Sequence, residues 1–328
     1  MNVDLYKPLS IYELGKRPNQ EDNMYPASGC ATEKDKLFVL CDGMGGHEHG
    51  EKASMSVCKS ISEYFLQQSS KSLNLKKGLV ADALAYAYEK LDELAVEDAS
   101  RQMGTTLAML YFNKQGCTVM HIGDSRIFHI RPSANTILYK SRDHSLAYEL
   151  FQAGELSYEE MKNFPHKNVI TRAMIAGDNN HPKADVMNIT DIQSGDYFYI
   201  CSDGMLELME DEELLHILSS DKSDEDKRAI LITATKGNAD NHSAYIVHVK
   251  SVDNDMENVD FMNEKPIAES NVVKINPNRK GEVSLPNARC SGIFVFGKNK
   301  KTRLAFGIVV LLCVIVVAVL VFKVWLQT

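Results

Sequence analysis

The sequence predicts an α+β domain of two packed β-sheets flanked by helix pairs, followed by a transmembrane helix near the C-terminus. The strand-like and helix-like segments are grouped rather than alternating, which favours α+β over repeated βαβ units. Two packed sheets with helices outside them account for both helix pairs. A run without charged residues, 304–322, is 19 residues long, and a helix needs roughly 20 residues to cross the hydrocarbon core.

Composition narrows the class of protein. The chain has 328 residues, 44% of them hydrophobic, and a formal net charge of −8. No basic stripe offsets that charge in the first 250 residues, which argues against nucleic-acid binding. The seven cysteines form no Cys-x-x-Cys pair, so neither a disulfide framework nor a zinc site is expected, and a reducing compartment fits best.

The segment that organises the domain is a buried strand over 37–41 that stops at Asp42. Five consecutive apolar residues are too few for an ordinary helix and are typical of a buried strand. Gly43 follows, and glycine lets another atom approach the backbone closely. A carboxylate beside a bare backbone carbonyl suits a hard metal ion. This stretch alone leaves a second interpretation open, an Asp-Gly turn after the strand.

The remaining elements follow from periodicity. Helices show apolar residues at helical spacing, as at Ala53, Val57 and Ile61, and strands are short runs rich in β-branched and aromatic residues. Pro18 opposes a continuous helix before Asp22 and predicts an extended segment or loop there. The other predicted elements are helices over 48–68 and 82–95, strands over 104–112, 117–122, 127–130 and 196–201, helices over 212–219 and 224–235, and a strand over 243–249.

The C-terminal part of the chain differs from the rest. Residues 1–250 form the predicted catalytic domain, and apolar density falls over 251–303, which indicates a flexible linker that ends in a basic stretch. The predicted transmembrane helix covers 304–322, and 323–328 form a short tail. Positive charge before the helix places that side in the cytoplasm. We therefore expect a single-pass, tail-anchored membrane protein whose domain faces the cytoplasm.

Five carboxylates lie at strand ends or polar turns rather than on a charged helix face. They would repel one another strongly if the fold brought them together, unless cations lay between them. Oxygen ligands favour Mg²⁺ or Mn²⁺ over zinc, and no P-loop or other nucleotide-binding signature accompanies them. The five residues are Asp22, Asp42, Asp124, Asp203 and Asp240.

At this point the chain resembles the metal-dependent Ser/Thr protein phosphatases of the 2C type, in a bacterial-like form. The resemblance covers about residues 12–249. Each motif is weak alone, whereas all of them in this order are specific. The motifs are Arg-x-x-x-Glu-Asp at 17–22, Asp-Gly-Met-Gly-Gly-His at 42–47, Gly-Thr-Thr at 104–106, Gly-Asp-Ser-Arg at 123–126, Asp-His-Ser at 143–145, Ser-Asp-Gly at 202–204 and Asp-Asn at 240–241.

The resemblance implies a four-layer αββα sandwich with two metal ions at one end and a variable flap at about 145–170. Arg17 is expected to bind the substrate phosphate and Asp42 to bridge both ions, which makes these the catalytic residues. Asn241 and Thr105 are expected to support the site. The expected metal ligands are Glu21, Asp22, Asp42, the Gly43 carbonyl, Asp203 and Asp240, with Asp124 and Asp203 at a weaker third site.

The implied function is hydrolysis of phosphoserine and phosphothreonine on cytoplasmic proteins, by attack of a water that bridges two Mn²⁺ or Mg²⁺ ions. The expected partners are phosphorylated proteins and a Ser/Thr kinase of the same cell. One departure concerns Met44, which stands where eukaryotic members carry a histidine as candidate general acid. His47 is a weak substitute for it. The alternative function is a membrane-tethered phosphoprotein-binding module without turnover, which the complete set of acids opposes.

Overall fold

Helices and strands occupy most of the residues that the structure describes. A computed structural model describes residues 1–45, 49–69, 78–97, 103–166 and 169–253. The strands in these residues are β1 (Asn2–Leu5), β2 (Leu9–Glu13), β3 (Asp22–Tyr25), β4 (Leu37–Met44), β5 (Gly104–Thr105), β6 (Leu107–Asn113), β7 (Gly116–Ile122), β8 (Arg126–Arg131), β9 (Thr136–Lys140), β10 (Met174–Ile175), β11 (Asp185–Ile189), β12 (Tyr197–Cys201) and β13 (His242–Asp253). The helices are α1 (His49–Ser69), α2 (Leu79–Glu97), α3 (Leu146–Gln152), α4 (Tyr158–Lys162), α5 (Asp211–Ser219) and α6 (Asp224–Thr235), with short 3₁₀ helices at Pro132–Ala134 and Asp203–Leu206.

The strands form two antiparallel sheets. The first sheet has the order β1-β13-β12-β8-β9, and β2 also pairs with β13. The second has the order β10-β5-β4-β6-β7-β11, and β3 also pairs with β4. Neighbouring strands such as β6 and β7 are joined by a tight turn, as the hairpin pattern predicts.

The two sheets bury their facing sides against each other. Phe38 and Leu40 on β4 belong to the same core cluster as Phe198 and Ile200 on β12, and all four are fully buried. Val39, between Phe38 and Leu40, belongs instead to the cluster that β4 forms with the helices. Successive strand residues point to opposite faces, so an unbroken apolar run serves two cores.

Helix pairs cover the outer faces of both sheets. Val57 and Ile61 on α1 pack with Leu91 on α2 against the second sheet. Leu214 on α5 and Leu231 on α6 pack against the first sheet. The predicted four-layer arrangement of helices, sheet, sheet and helices is therefore observed in the described residues.

The structure corrects one prediction about the organising strand. The strand does not stop at Asp42, and the Asp-Gly turn is wrong, because β4 continues to Met44. Gly43 and Met44 pair with Thr105 and Gly104 on β5, which extends the ladder past the carboxylate. Six short strands were not predicted, because runs of two to five residues carry too little periodic pattern to identify; they are β1, β2, β3, β9, β10 and β11.

The predicted linker and transmembrane helix, 251–303 and 304–322, lie outside the described residues except for the last residues of β13. None of the helices in the described part of the chain combines the length and apolar character that a membrane crossing requires. The domain boundaries and the membrane helix therefore stay predictions.

Candidate active site

The register of the first sheet brings three of the predicted acids to one end of the sandwich. Cys201, the last residue of β12, pairs with Arg126 at the start of β8 and with Ala244 near the start of β13. The turn before β8 carries Asp124, and the loop before β13 carries Asp240. Asp203 follows β12 as the first residue of a 3₁₀ helix. Three acids distant in sequence therefore lie at the same sheet edge.

The second sheet contributes Asp22 and Asp42 to the same end. Asp22 begins β3 and lies directly opposite Asp42 on β4. Asp22 is fully buried, and its Oδ2 accepts a hydrogen bond of 2.9 Å from the hydroxyl of Ser202. Because Ser202 immediately precedes Asp203, this bond ties the acids of the two sheets together.

Two threonines fix the backbone of Asp42. The Thr105 hydroxyl donates to the Asp42 carbonyl at 2.9 Å, and the Asp42 amide donates to the Thr106 hydroxyl at 3.0 Å. Both threonines are fully buried. The predicted support from Thr105 therefore has a specific contact, and Thr106 adds a second one that was not predicted.

Gly43 lies where β4 and the start of α1 meet. A Cβ atom at this position would be 2.2 Å from the carbonyl oxygen of Gly50, so only glycine fits. The Gly43 amide donates to the carbonyl of Glu21 at 3.1 Å. The side chain of Glu21 lies beside Gly50, where an added Cβ would be 3.0 Å from Glu21 Cδ. Glu21 and Gly43 therefore adjoin the acids.

The side chain of Asn241 holds the loop that carries Arg17. Its Oδ1 accepts from the Glu21 amide at 2.8 Å, and its Nδ2 donates to the carbonyls of Leu14 at 2.8 Å and Asn19 at 3.0 Å. Asn241 is 4% exposed. This one buried amide therefore fixes residues 14–21 at three points.

Arg17 lies at the solvent-exposed rim of the acids. Its Nη2 donates to Asp240 Oδ2 at 2.6 Å, and half of its side chain is exposed. Burial is the largest single cause and would lower the pKa of Arg17, but the hydrogen bond with Asp240 and the negative charges of Asp240, Glu21 and Asp42 together outweigh it and raise the pKa. The guanidinium is therefore charged and accessible, as phosphate binding requires.

Burial raises the pKa of the four acids inside the site, and burial is the largest cause for each of them. For Asp42, the negative charges of Asp22 and Asp203 raise the pKa further. For Asp124, the charge of Asp203 is the next cause. The pKa values of Asp22 and Asp203 are raised for the same reasons. Cations among these carboxylates would offset the repulsion.

The donor set fits a hard divalent cation. Asp22 Oδ1 and Asp124 Oδ1 are buried and have no hydrogen-bond partner among the described residues. Buried carboxylate oxygens without partners are costly unless a proton or a cation satisfies them. All the side chains assembled here offer oxygen, which matches Mg²⁺ or Mn²⁺. Met44 at the end of β4 has no ionisable group, and His47 lies outside the described residues.

A second group with metal-ligand atoms lies nearby but is unsuited to a cation. Ligand atoms of His121, His144 and Asp185 all lie within 4.8 Å of one another. The Gly123 amide donates to His144 Nδ1 at 3.0 Å, so a neutral His144 carries its proton on Nε2, which faces Asp185 Oδ2 at 3.3 Å. The Arg142 carbonyl accepts from His121 Nε2 at 2.8 Å. A cation would have to displace the His144 proton, which makes this group a poor cation site.

Comparison with known proteins identifies the family. Residues 16–222 match the family described as Protein phosphatase 2C. The chain belongs to the protein phosphatase 2C family. The phosphatase is 32% identical over 242 residues to protein phosphatase PhpP of Streptococcus pneumoniae, which covers 73% of this chain and 95% of PhpP. The predicted enzyme class, a protein phosphatase, is confirmed.

Solved structures agree with the fold of this phosphatase. It superposes on the serine/threonine phosphatase of S. agalactiae with a TM-score of 0.61 and 28% identity, covering 74% of this chain and 99% of that one. It superposes on the catalytic domain of the phosphatase PstP with a TM-score of 0.62 and 25% identity, covering 76% and 100%. That PstP structure contains two manganese ions, which confirms the predicted cofactor for the family.

Three side chains that hold the phosphatase site together were not predicted individually. Ser202 and Thr106 lie inside the quoted motifs, so their position was visible but their hydrogen bonds were not. Glu207 carries no sequence signal, yet its Oε2 accepts from the Ala239 amide at 2.7 Å and so supports the loop that bears Asp240.

Proposed function

We propose that this phosphatase removes phosphate from phosphoserine and phosphothreonine on cytoplasmic proteins, including targets of a Ser/Thr kinase of the same cell. The observation that carries the proposal is the assembly of acids from both sheets beside an accessible arginine. Asp22 and Asp124 each have a buried carboxylate oxygen without a partner among the described residues. Arg17 lies next to these acids through Asp240.

The proposed metal ligands are the residues that the family resemblance implies. Bound Mn²⁺ or Mg²⁺ ions supply positive charge and lower the pKa of a water shared between them. The ligands would be Glu21, Asp22, Asp42, the Gly43 carbonyl, Asp203 and Asp240, with Asp124 and Asp203 at a weaker third site.

Arg17 binds the substrate in this proposal. Its guanidinium can contact two phosphate oxygens at once, which a planar fork of donors favours. The ion pair with Asp240 orients the side chain from one edge and leaves its remaining donors available. Negative charge on the transferring phosphoryl group is then offset on the side that faces solvent.

The decisive experiment is phosphate release from a phosphothreonine peptide by the full chain in detergent. We expect release with Mn²⁺, loss of release with excess EDTA, and loss in Asp42→Asn. Glu33→Gln serves as the matched control, because Glu33 is an exposed acid in the loop that leads to the opposite end of β4. Release that resists EDTA, or that Asp42→Asn retains, would contradict the proposal. An inactive full chain that binds a phosphoprotein tightly would favour the binding module.

We also propose that residues 304–322 anchor the phosphatase in a membrane with its catalytic domain on the cytoplasmic side. The support is the uncharged run and the basic residues before it, Lys298, Lys300, Lys301 and Arg303. Deletion of 304–328 should move the protein to the soluble fraction and leave phosphate release unchanged. Continued membrane association of the deletion variant would contradict the anchor.

A further inference from the structure

The two ends of the flap, residues 145–170, are joined to each other at its base. The Leu146 amide donates to the Val169 carbonyl at 2.9 Å, and the Thr171 amide donates to the His144 carbonyl at 2.9 Å. Ser145 and Ile170 form an isolated β-bridge between these contacts. The first and last residues of the flap therefore lie side by side, and His144 lies next to them.

His144 also forms hydrogen bonds with the turn that carries Asp124. Its amide donates to the Gly123 carbonyl at 3.0 Å, and its Nδ1 accepts from the Gly123 amide at 3.0 Å. One residue at the flap base thus satisfies both polar groups of the residue before Asp124. Gly123 has φ +104° and leaves no room for a Cβ, which would be 2.6 Å from Thr106 Cγ2. His144 therefore holds the turn by hydrogen bonds, and Thr106 packs closely against it.

A second link runs parallel to the first. Arg126, two residues after Asp124, donates from Nε and Nη2 to the two carboxylate oxygens of Asp143 at 2.7 and 2.5 Å. Such a two-point pair fixes orientation as well as distance. Residues 143–144 therefore hold residues 123–126 at two points, and we call these four contacting residues, Gly123, Arg126, Asp143 and His144, the flap clamp.

The surroundings of His144 keep its acceptor nitrogen available. The ring is 3% exposed and stacks on His121 with centroids 4.7 Å apart. Burial lowers the pKa of His144 to about 4, and the positive charges of His121 and Arg172 act in the same direction. The imidazole is therefore neutral at physiological pH, with Nδ1 as acceptor and the Nε2 proton toward Asp185.

We propose that His144, with Asp143 beside it, is a positioning residue that holds Asp124 for the weak third cation and couples that site to the flap. The inference rests on the proposed function, because it takes Asp124 as a ligand of that cation. The clamp residues bind no substrate and no cation themselves. They act through the Gly123–Arg126 turn, so a displaced turn would misplace the one carboxylate that this turn contributes.

The test compares two amide substitutions at His144 in the full chain. In His144→Asn, the side-chain Oδ1 lies where Nδ1 was and can accept from the Gly123 amide. In His144→Gln, the amide lies near the former Nε2 and leaves the Gly123 amide without that acceptor. The readout is Mn²⁺ binding by titration calorimetry, with the weak ion distinguished from the two tight ones. We expect about tenfold weaker binding of the weak ion in His144→Gln, as loss of one buried hydrogen bond predicts, and a change under about twofold in His144→Asn.

Several outcomes would overturn the inference. Equal weakening in both variants would mean that ring volume, not the acceptor, matters, and unchanged binding in both would mean that the clamp does not position Asp124. If circular dichroism shows that His144→Gln does not fold, Asp143→Ala removes both acceptors of the second link instead. It should weaken binding of the same ion, so unchanged binding there would also overturn the inference.

Flap mobility gives a second readout that metal binding does not provide. Limited proteolysis should cut within 145–170 faster in His144→Gln than in His144→Asn, and equal rates would contradict the coupling. If Asp124→Asn gives the same Mn²⁺ titration as the wild type, Asp124 binds no third cation and the inference fails. Phosphate release dependent on the two tight ions would then still uphold the proposed function, so the two failures are distinguishable.

Discussion

Asp22 and Asp42 occupy directly opposed positions on the antiparallel strands β3 and β4. Side chains at such positions project from the same face with Cβ atoms about 5 Å apart, and like charges there destabilise the pair. The surrounding hydrogen bonds, from Ser202 to Asp22 and between Thr106 and Asp42, hold both residues in place despite this repulsion. A cation between the two carboxylates would turn the repulsive pair into a binding site.

Removal of divalent ions should destabilise the protein, and the effect should grow with pH. The pKa values of Asp42 and Asp124 are raised by burial and neighbouring charge, so the metal-free folded state binds protons more tightly than the unfolded state. Its stability therefore falls as pH rises from the ordinary carboxyl value near 4 through the raised values. Mn²⁺ at about a hundredfold above its Kd should raise Tm by about 5 to 10 °C at pH 8.

The measurement is a set of thermal melts between pH 5 and pH 8, with excess EDTA and with Mn²⁺. The gap in Tm between the two conditions should widen toward pH 8. A gap in Tm that is constant or narrows with increasing pH would show that protons and cations do not compete for these carboxylates.

Asn241→Ala should loosen the loop that carries Arg17 and Glu21. The substitution leaves the Glu21 amide and the Leu14 and Asn19 carbonyls without their partner, and unsatisfied buried groups should cost about 2 kcal/mol in the free energy of unfolding. Denaturant unfolding measures that loss, and Mn²⁺ titration should show weaker binding because Glu21 is displaced. Asn163→Ala, which removes an exposed amide from the flap, is the control and should change neither quantity.

Arg17→Lys should lower phosphate release by about tenfold to a hundredfold. Lysine keeps the positive charge but cannot contact two phosphate oxygens with a planar fork, and a hydrogen bond to a charged group contributes about 1.5 to 3 kcal/mol. Steady-state kinetics on a phosphothreonine peptide measures the effect. Arg228→Lys alters a partly exposed arginine that pairs with Glu225 on α6 and should leave kcat/KM unchanged. Wild-type kcat/KM in Arg17→Lys would exclude phosphate binding by this side chain.

Asp196→Asn should reduce stability without reducing activity. Asp196 lies just before β12, at the end opposite Asp203, and accepts from His129 Nε2 at 2.8 Å and from two nitrogens of Arg131 at 2.9 Å. Burial alone would raise its pKa, but the hydrogen bonds from Arg131 and His129 outweigh burial and lower it. Loss of this buried charge should cost about 3 kcal/mol at pH 7.

The sign of the pH dependence follows from the lowered pKa of Asp196. The ionised carboxylate stabilises the folded state fully above its ordinary value near 4, and this contribution is lost as pH falls through the lowered folded pKa. Denaturant melts of wild type and Asp196→Asn should therefore differ most at pH 7 and converge toward pH 3. A difference in the free energy of unfolding that stays constant down to pH 3 would contradict the ionised state assigned to Asp196. A reduced kcat in Asp196→Asn would contradict the placement of Asp196 away from the active site.

Local sequence patterns predicted the elements that have many apolar residues. The run over 37–41 and the periodicity of Ala53, Val57 and Ile61 correspond to β4 and α1, because burial on a defined face imposes a period on the sequence. The same reasoning ended β4 at residue 41, three residues too early. Its last pairs depend on β5, more than 60 residues later, which no local pattern contains.

The sequence by itself determined the α+β class, the order of the longer helices and apolar strands, and the family, through motifs that hold Asp42, Asp203 and the other acids. Only the tertiary structure decided which groups touch. Ser202 and Asp22 are 180 residues apart and share a hydrogen bond, and His144 meets Gly123 across the flap base. Periodicity records whether a residue faces a core, whereas such contacts depend on the register between strands and on how two sheets pack, which arise from many distant residues together.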